Sequence, residues 1–151
     1  MEFILSTESV LKLKTDILVL GMFKGLKYSG TLKAVNDGLK GALANLAEEE
    51  GFKGDIDKSL MLSRTFGKIA AKRVLLVGLG KKSELTQNTL RKVGILAVKK
   101  IKDISSTAAF SGEFSSSPGY VSGLCEGLLL GSYEFKKYKT QNSDESKIKK
   151  I

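Results

Sequence analysis

The run Arg73-Val74-Leu75-Leu76-Val77-Gly78 constrains the fold more than any other part of this chain. Successive side chains of a strand point to opposite faces of a sheet, so a run that is apolar at almost every step buries both faces. Such a strand sits centrally, with helices laid over either side. The rest of the sequence has to supply its neighbours and its covering layers.

Two further apolar runs, Phe3-Ile4-Leu5 and Asp16 to Met22, read as strands, the second dense in branched residues and carrying Gly21 near its end. From Thr31 the spacing changes: Leu32, Val35, Leu39, Leu43, Leu46 and Ala47 recur every three or four residues, which predicts one amphipathic helix ending near Gly51. Glu48, Glu49 and Glu50 fall at its carboxyl end, where the helix dipole disfavours negative charge. Gly51 to Lys58 reads as a loop, Ser59 to Leu62 as a strand and Arg64 to Lys72 as a connection. Helical spacing returns through Leu90, Val93, Ala97 and Ile101, within Thr86 to Ile101. Thr107 to Phe110 reads as a short strand and Ser111 to Ser117 as a loop. Ser117-Pro118 then opens a third helix, Ser as cap and Pro in the first turn, whose apolar face carries Val121, Leu124, Leu128 and Phe135.

Strands alternating with helices predict an α/β protein with a mostly parallel mixed sheet flanked by helices, the hairpin-like start leaving room for an antiparallel strand. The chain of 151 residues suits one domain and shows no internal repeat. After Thr140 the composition turns to Gln, Asn, Ser, Asp, Glu and Lys, so residues 1–140 read as the domain and 141–151 as the start of a linker to a further domain.

Composition limits the chemistry. With no histidine, the Ser/His and Cys/His nucleophile pairs and the usual imidazole metal ligands are excluded. Cys125 is the single cysteine, so no intrachain disulfide can form, and a cytoplasmic setting is the default expectation. Beside Leu124 and Leu128 it reads as a buried small hydrophobe, with a reactive thiol as the competing reading. The start has no basic segment before its apolar residues, and no apolar run approaches the roughly 20 residues that span a bilayer, so neither a secretory leader nor a membrane span is expected. Carboxylates are scattered apart from Glu48 to Glu50, which has no accompanying ligand set, so no metal or other cofactor is expected in this chain.

The net charge is +9, of which the stretch from Lys136 to Ile151 carries six lysines against Asp144 and Glu145, a surplus of +4 that leaves +5 for the other 135 residues. These lysines read as solvated surface and linker, the competing reading being a working basic patch. Gly78-Leu79-Gly80-Lys81-Lys82-Ser83 follows a strand and could present amides and lysines to a phosphate at a helix start. A dinucleotide fingerprint needs glycine where Ser83 stands, and a Walker loop needs a different spacer, so a tight turn is the simpler reading. Gly127 and Gly131, four apart, align on a helix and let another backbone approach. Tyr133, Phe135 and Tyr138 read as aromatics anchoring the helix end against the sheet and the next domain, with nucleic-acid stacking, aided by Lys136, Lys137 and Lys139, as the alternative.

The segments Asp16 to Phe23, Arg73 to Lys81 and Gly127 to Thr140, in that order, resemble the amino-terminal domain of the leucyl (cytosol) aminopeptidase family. The resemblance extends from the first strand to Thr140. It implies a three-layer α/β fold similar to the macro domain, packed against a separate catalytic domain of the same polypeptide. Members of the family are cytoplasmic metalloexopeptidases that release amino-terminal residues from peptides, use two divalent ions, zinc or manganese, and assemble as hexamers. Their glycine-rich metal-site segment and Asn-Thr-Asp-Ala-Glu-Gly-Arg motif have no counterpart between residues 1 and 151, so no catalytic, cofactor-binding or metal-binding residue is assigned. The implied role is support of homo-oligomer assembly and of active-site access. Nucleic acid and membrane are not expected partners. The alternative reading is a free-standing basic module binding a nucleotide or nucleic acid, whose binding would weaken steeply with salt.

Overall fold

Along β1 (Ile17–Phe23) the side chains divide strictly between two cores: Ile17 and Val19 enter one, Leu18 and Leu20 the other. The same division runs through β3 (Arg73–Gly80), where Leu75, Val77 and Leu79 face one layer and Val74 and Leu76 the other. This two-sided burial is why neither strand alternates with polar residues. The computed structural model describes residues 1–138 and 151, with the backbone alone for 134–138.

With β2 (Ser59–Leu62) and β4 (Ala108–Ser111), these strands form one sheet in the order β2-β3-β1-β4. β1 runs parallel to β3 and β4, and β2 pairs antiparallel with β3. Helices α1 (Gly30–Gly38) and α2 (Ala42–Glu49) cover one face with Val35, Leu43 and Ala47. Helices α3 (Gln87–Ile101) and α4 (Pro118–Tyr138) cover the other with Leu90, Val93, Ala97, Ile101, Leu124 and Leu128. The result is a three-layer α/β fold. Short 3-10 turns at Lys82–Glu84 and Glu113–Ser115 lead out of β3 and β4.

Three expectations are corrected. The run Phe3-Ile4-Leu5 is not a strand of the sheet: Leu5 is 93% exposed, and the backbone of residues 2 and 4 pairs with Ile151 instead. Both edges of β1 are taken by β3 and β4, so the antiparallel member is β2, not the start of the chain. The single helix expected from Thr31 to Gly51 is two. Lys40 (φ 54°) and Gly41 (φ 81°) adopt left-handed backbone between them, and Asn36 Oδ1 accepts from Ala44 N (3.0 Å) to tie the second helix to the first. The buried positions Val35, Leu39, Leu43 and Ala47 keep their four-residue spacing across this break, which hides it from a periodicity argument. Thr86 caps α3: its Oγ1 accepts from Thr89 N, and its own backbone N donates reciprocally to Thr89 Oγ1.

The amino-terminal ends of the parallel strands are tied by one carboxylate. Asp16 accepts from Lys72 Nζ (2.8 Å) on one oxygen and from Ser106 N (3.1 Å), Ser106 Oγ (2.9 Å) and Thr107 N (3.3 Å) on the other. It thereby joins the segments that open β1, β3 and β4. The Lys72 bond, helped by Ser106 and opposed by partial burial, holds its carboxyl well below the usual carboxylate range.

Candidate functional site

At the opposite end of the sheet, β1 and β4 lie side by side, but the chain leaves β1 for α1 on one face and β4 for α4 on the other. Such a reversal opens a crevice at the carboxyl ends of the strands, the usual ligand position in open α/β sheets. Here it is lined by Phe23, Lys27, Ser29, Lys82, Gly112 and Glu113 among others and measures about 60 Å³. That is room for a few water molecules, against the roughly 300–1,000 Å³ of small-molecule sites. The lining carries both signs of charge, Lys27 and Lys82 with Glu113, which does not favour a purely anionic ligand.

The Gly78 to Ser83 turn does not offer its glycine amides to a phosphate. Gly78 N donates to Lys58 O (2.8 Å) and Gly80 N to Gly54 O (2.9 Å), while Gly80 O accepts from Lys24 N (2.9 Å). A Cβ on Gly78 would strike the Asp55 carbonyl, and Gly80 sits at φ 70°. Both glycines serve the passage of the 54–58 loop over the end of β3. Lys82 Nζ lies 5.9 Å from the Phe23 ring centroid, a cation-π contact at the rim of the crevice.

The glycines of α4 form a seam against α3. A Cβ at Gly123 would strike Gln87 O, one at Gly127 Arg91 O, and one at Gly131 would lie 3.0 Å from Ile95 Cα. From the other side, Gly94 meets Leu124 O at 2.6 Å and Leu128 N at 2.8 Å by the same construction. The two helices run parallel in backbone contact, the close approach expected of Gly127 and Gly131, extended here to Gly123 and Gly94. Arg91 reinforces the seam, donating to Glu126 Oε2 through Nε (2.8 Å) and Nη2 (2.5 Å).

Other sequence candidates come apart. Cys125 is half-buried rather than buried, and desolvation pushes its thiol pKa up, away from the reactive range. Tyr133 is 69% exposed, so it does not anchor α4 against the sheet. Phe135, Lys136, Lys137, Tyr138 and Lys139, and the linker expected at 141–151 except Ile151, lie outside the described side chains. Among the described residues no group of three or more His, Cys, Asp or Glu could hold a metal ion, and no helix is long and apolar enough to cross a membrane. Sequence reasoning missed the outward exposure of Leu129 and Leu130. The available signal was the triplet Leu128-Leu129-Leu130, because one helix face can bury only part of three consecutive leucines.

Comparison with known proteins places these features in a family context. Residues 19–142 match the model of the cytosol aminopeptidase family, N-terminal domain. The chain is 31% identical over 156 residues to a probable cytosol aminopeptidase of Sulfurihydrogenibium sp. (strain YO3AOP1), covering 100% of the chain and 31% of that protein. It is 30% identical over 159 residues to the cytosol aminopeptidase of Pseudomonas aeruginosa (strain PAO1), covering 100% of the chain and 32% of that protein. A tomato leucine aminopeptidase mutant superposes with TM-score 0.77 at 22% identity, over 96% of this chain and 30% of that one. The macrodomain of Mycobacterium tuberculosis DarG superposes with TM-score 0.68 at 11% identity, over 99% and 95%. These two likenesses are of fold, macrodomain-like α/β. The chain spans about a third of the length of the curated relatives it matches.

Proposed function

The chain belongs to the cytosol aminopeptidase family, matching its N-terminal domain, and from that premise we propose that it is the non-catalytic amino-terminal domain of a metal-dependent exopeptidase. The observation that carries this reading is the match of residues 19–142 to a domain that occupies only the first third of peptidases. In this reading residues 1–140 are the domain and 141–151 begin the link to a catalytic domain. That domain would hold the two divalent ions, zinc or manganese, and act on peptide substrates in the cytoplasm. The present residues do not fit those ions: the chain has no histidine, and the described carboxylates form no ligand group, so no hydrolytic step is assigned to them. What this domain contributes is support of a homo-oligomer, a hexamer, and of access to the active site.

The test is direct. The purified chain, supplied with zinc or manganese, should release no leucine from a leucyl amide, whereas a polypeptide of the relatives' length that carries it should. Hydrolysis by the chain alone would overturn the proposal. Removing the domain from the longer polypeptide should change its sedimentation or its KM for peptides; if both stay unchanged, the assembly and access role is lost. Nothing in the crevice or the glycine turn favours the nucleotide-binding alternative.

A further inference from the structure

The crevice at the carboxyl ends of β1 and β4 carries charges of both signs that the fold itself leaves unpaired. Lys27, Lys82 and Glu113 all line it. Among the described residues the Glu113 carboxylate and the Lys27 ammonium have no hydrogen-bond or ion-pair partner, and Lys82 has only the Phe23 ring. Lys27 comes from the segment after β1, Lys82 from the turn after β3 and Glu113 from the turn after β4. Three separate connections therefore bring opposite charges to one small space without closing a bridge across it. Ser29 lines the same space: it stands at the N-cap of α1, yet its hydroxyl makes no cap bond.

Size and charge together define what fits. At roughly 10–15 Å³ for each water-sized position, a volume of about 60 Å³ holds about four to six heavy atoms. A simple anion of that size would meet the Glu113 carboxylate, and a simple cation would meet two lysines. Either way a charge is drawn from water against a like charge, which costs free energy. A ligand carrying an anionic and a cationic group on so few atoms meets both kinds of partner. The amino acids glycine and alanine have this size and this charge pattern, and the apolar wall of Leu20, Met22 and Phe23 accepts a methyl group.

We propose that the crevice binds a free α-amino acid with a small side chain, its carboxylate toward Lys27 and Lys82 and its ammonium toward Glu113. The choice of an α-amino acid among small zwitterions rests on the reading of the chain as an aminopeptidase domain, because hydrolysis at the amino terminus of a peptide releases that class of molecule.

Amide chemical shifts of the isotope-labelled chain, titrated with glycine, test the site without a peptidase assay. Saturable shifts at Ser29, Gly112 and Glu113 are expected, with a Kd in the millimolar range. Acetate, which lacks the ammonium, and glycinamide, which lacks the carboxylate, should each bind at least about tenfold more weakly. Glu113→Gln should weaken glycine by a similar factor, and Lys68→Gln, on the exposed 64–72 connection, should not; the unchanged remainder of the spectrum shows that both variants are folded. Absence of saturable shifts with both glycine and alanine would overturn the proposal. So would acetate binding as tightly as glycine, or glycine betaine doing so, since its trimethylated nitrogen has no hydrogen for Glu113 to accept. If glycine binds as expected while the polypeptide of the relatives' length cleaves no leucyl amide, the site stands and the peptidase reading fails; cleavage without glycine binding removes the site alone.

Discussion

Replacing Gly127 with alanine puts the α3–α4 seam under the most direct strain available. The added Cβ would strike the Arg91 carbonyl and come within 3.0 Å of Arg91 Cα, and both obstacles are backbone, so no side chain can swing aside. Contacts of a Cβ with its neighbours do not fall below about 3.0 Å, so α4 has to withdraw by at least about 1 Å. A gap of that size forfeits about a quarter to a half of each dispersion contact along the interface, here Leu124 and Leu128 against Leu90, Val93 and Ala97. Overpacking costs about 1–3 kcal/mol and occasionally more, and a backbone-on-backbone clash belongs at the upper end. Against this, alanine returns about 1 kcal/mol of helix propensity. The expected net loss is about 2 kcal/mol, or a fall in Tm of about 4–8 °C for a domain of this size. The control is the same substitution two four-residue steps earlier, outside the contact: at Gly119 a Cβ finds nothing nearer than Gln87 Oε1 at 3.8 Å. Gly119→Ala should be neutral or stabilise by a few tenths of a kcal/mol up to about 1 kcal/mol. Denaturant unfolding followed by circular dichroism compares the two. If Gly127→Ala is no less stable than Gly119→Ala, the helices are not in backbone contact and the seam argument fails.

Asp16→Asn should cost about 1–3 kcal/mol at neutral pH, mainly through the bonds from Ser106 and Thr107, because Lys72 is 72% exposed and its pairing is screened. Since the folded carboxyl lies below its unfolded value of about 3.9, its contribution is present above about pH 4 and is lost as the pH falls further. Acid titration should therefore give a shallower loss of stability in the variant, and parallel curves would show that Asp16 is not coupled to folding. Lys40→Gly should stabilise by about 0.5 kcal/mol, the cost of a left-handed non-glycine residue at φ 54° outweighing the extra freedom of glycine in the unfolded chain; chemical denaturation showing a net loss would contradict it. Adenosine diphosphate at 1 mM should leave Tm unchanged within about 1 °C, because a ligand at ten times its Kd would add about 1.4 kcal/mol and raise Tm by several degrees.

The sheet was legible because its signal is strong and local. A nearly unbroken apolar run at Arg73 to Gly78 has one physical explanation, and the structure places it beside β1 with both faces covered. α3 was equally plain: Leu90, Val93, Ala97 and Ile101 are all buried. Illegible were features that periodicity does not record. The α1–α2 break preserves the four-residue spacing and turns on the backbone of Lys40 and Gly41. Phe3-Ile4-Leu5 has strand composition, but both edges of β1, the strand that follows it in the chain, are taken by β3 and β4. The crevice could not be read at all, since it arises where β1 and β4 send their chains to opposite faces, a property of topology. At α4 the glycine spacing announced the seam, while the exposure of Tyr133 against the expectation of an anchor depends on which side of the helix the seam occupies.

That dependence gives α4 a mechanical consequence. The glycines bring its backbone onto α3, whose own side chains are locked into the sheet, so the orientation of the outward leucines is set by the core with little side-chain slack between. Whatever rests on that face inherits the orientation. In the polypeptide of the relatives' length, the withdrawal of α4 by about 1 Å in Gly127→Ala would be handed to its neighbour, and displacements of that size far from the chemistry can cost as much as about a hundredfold in rate. Gly127→Ala should therefore lower kcat/KM at temperatures well below its Tm. Lys40→Gly, in the opposite layer, should leave it unchanged. Equal kcat/KM in the two variants would mean that the α4 face carries no positional information to the active site.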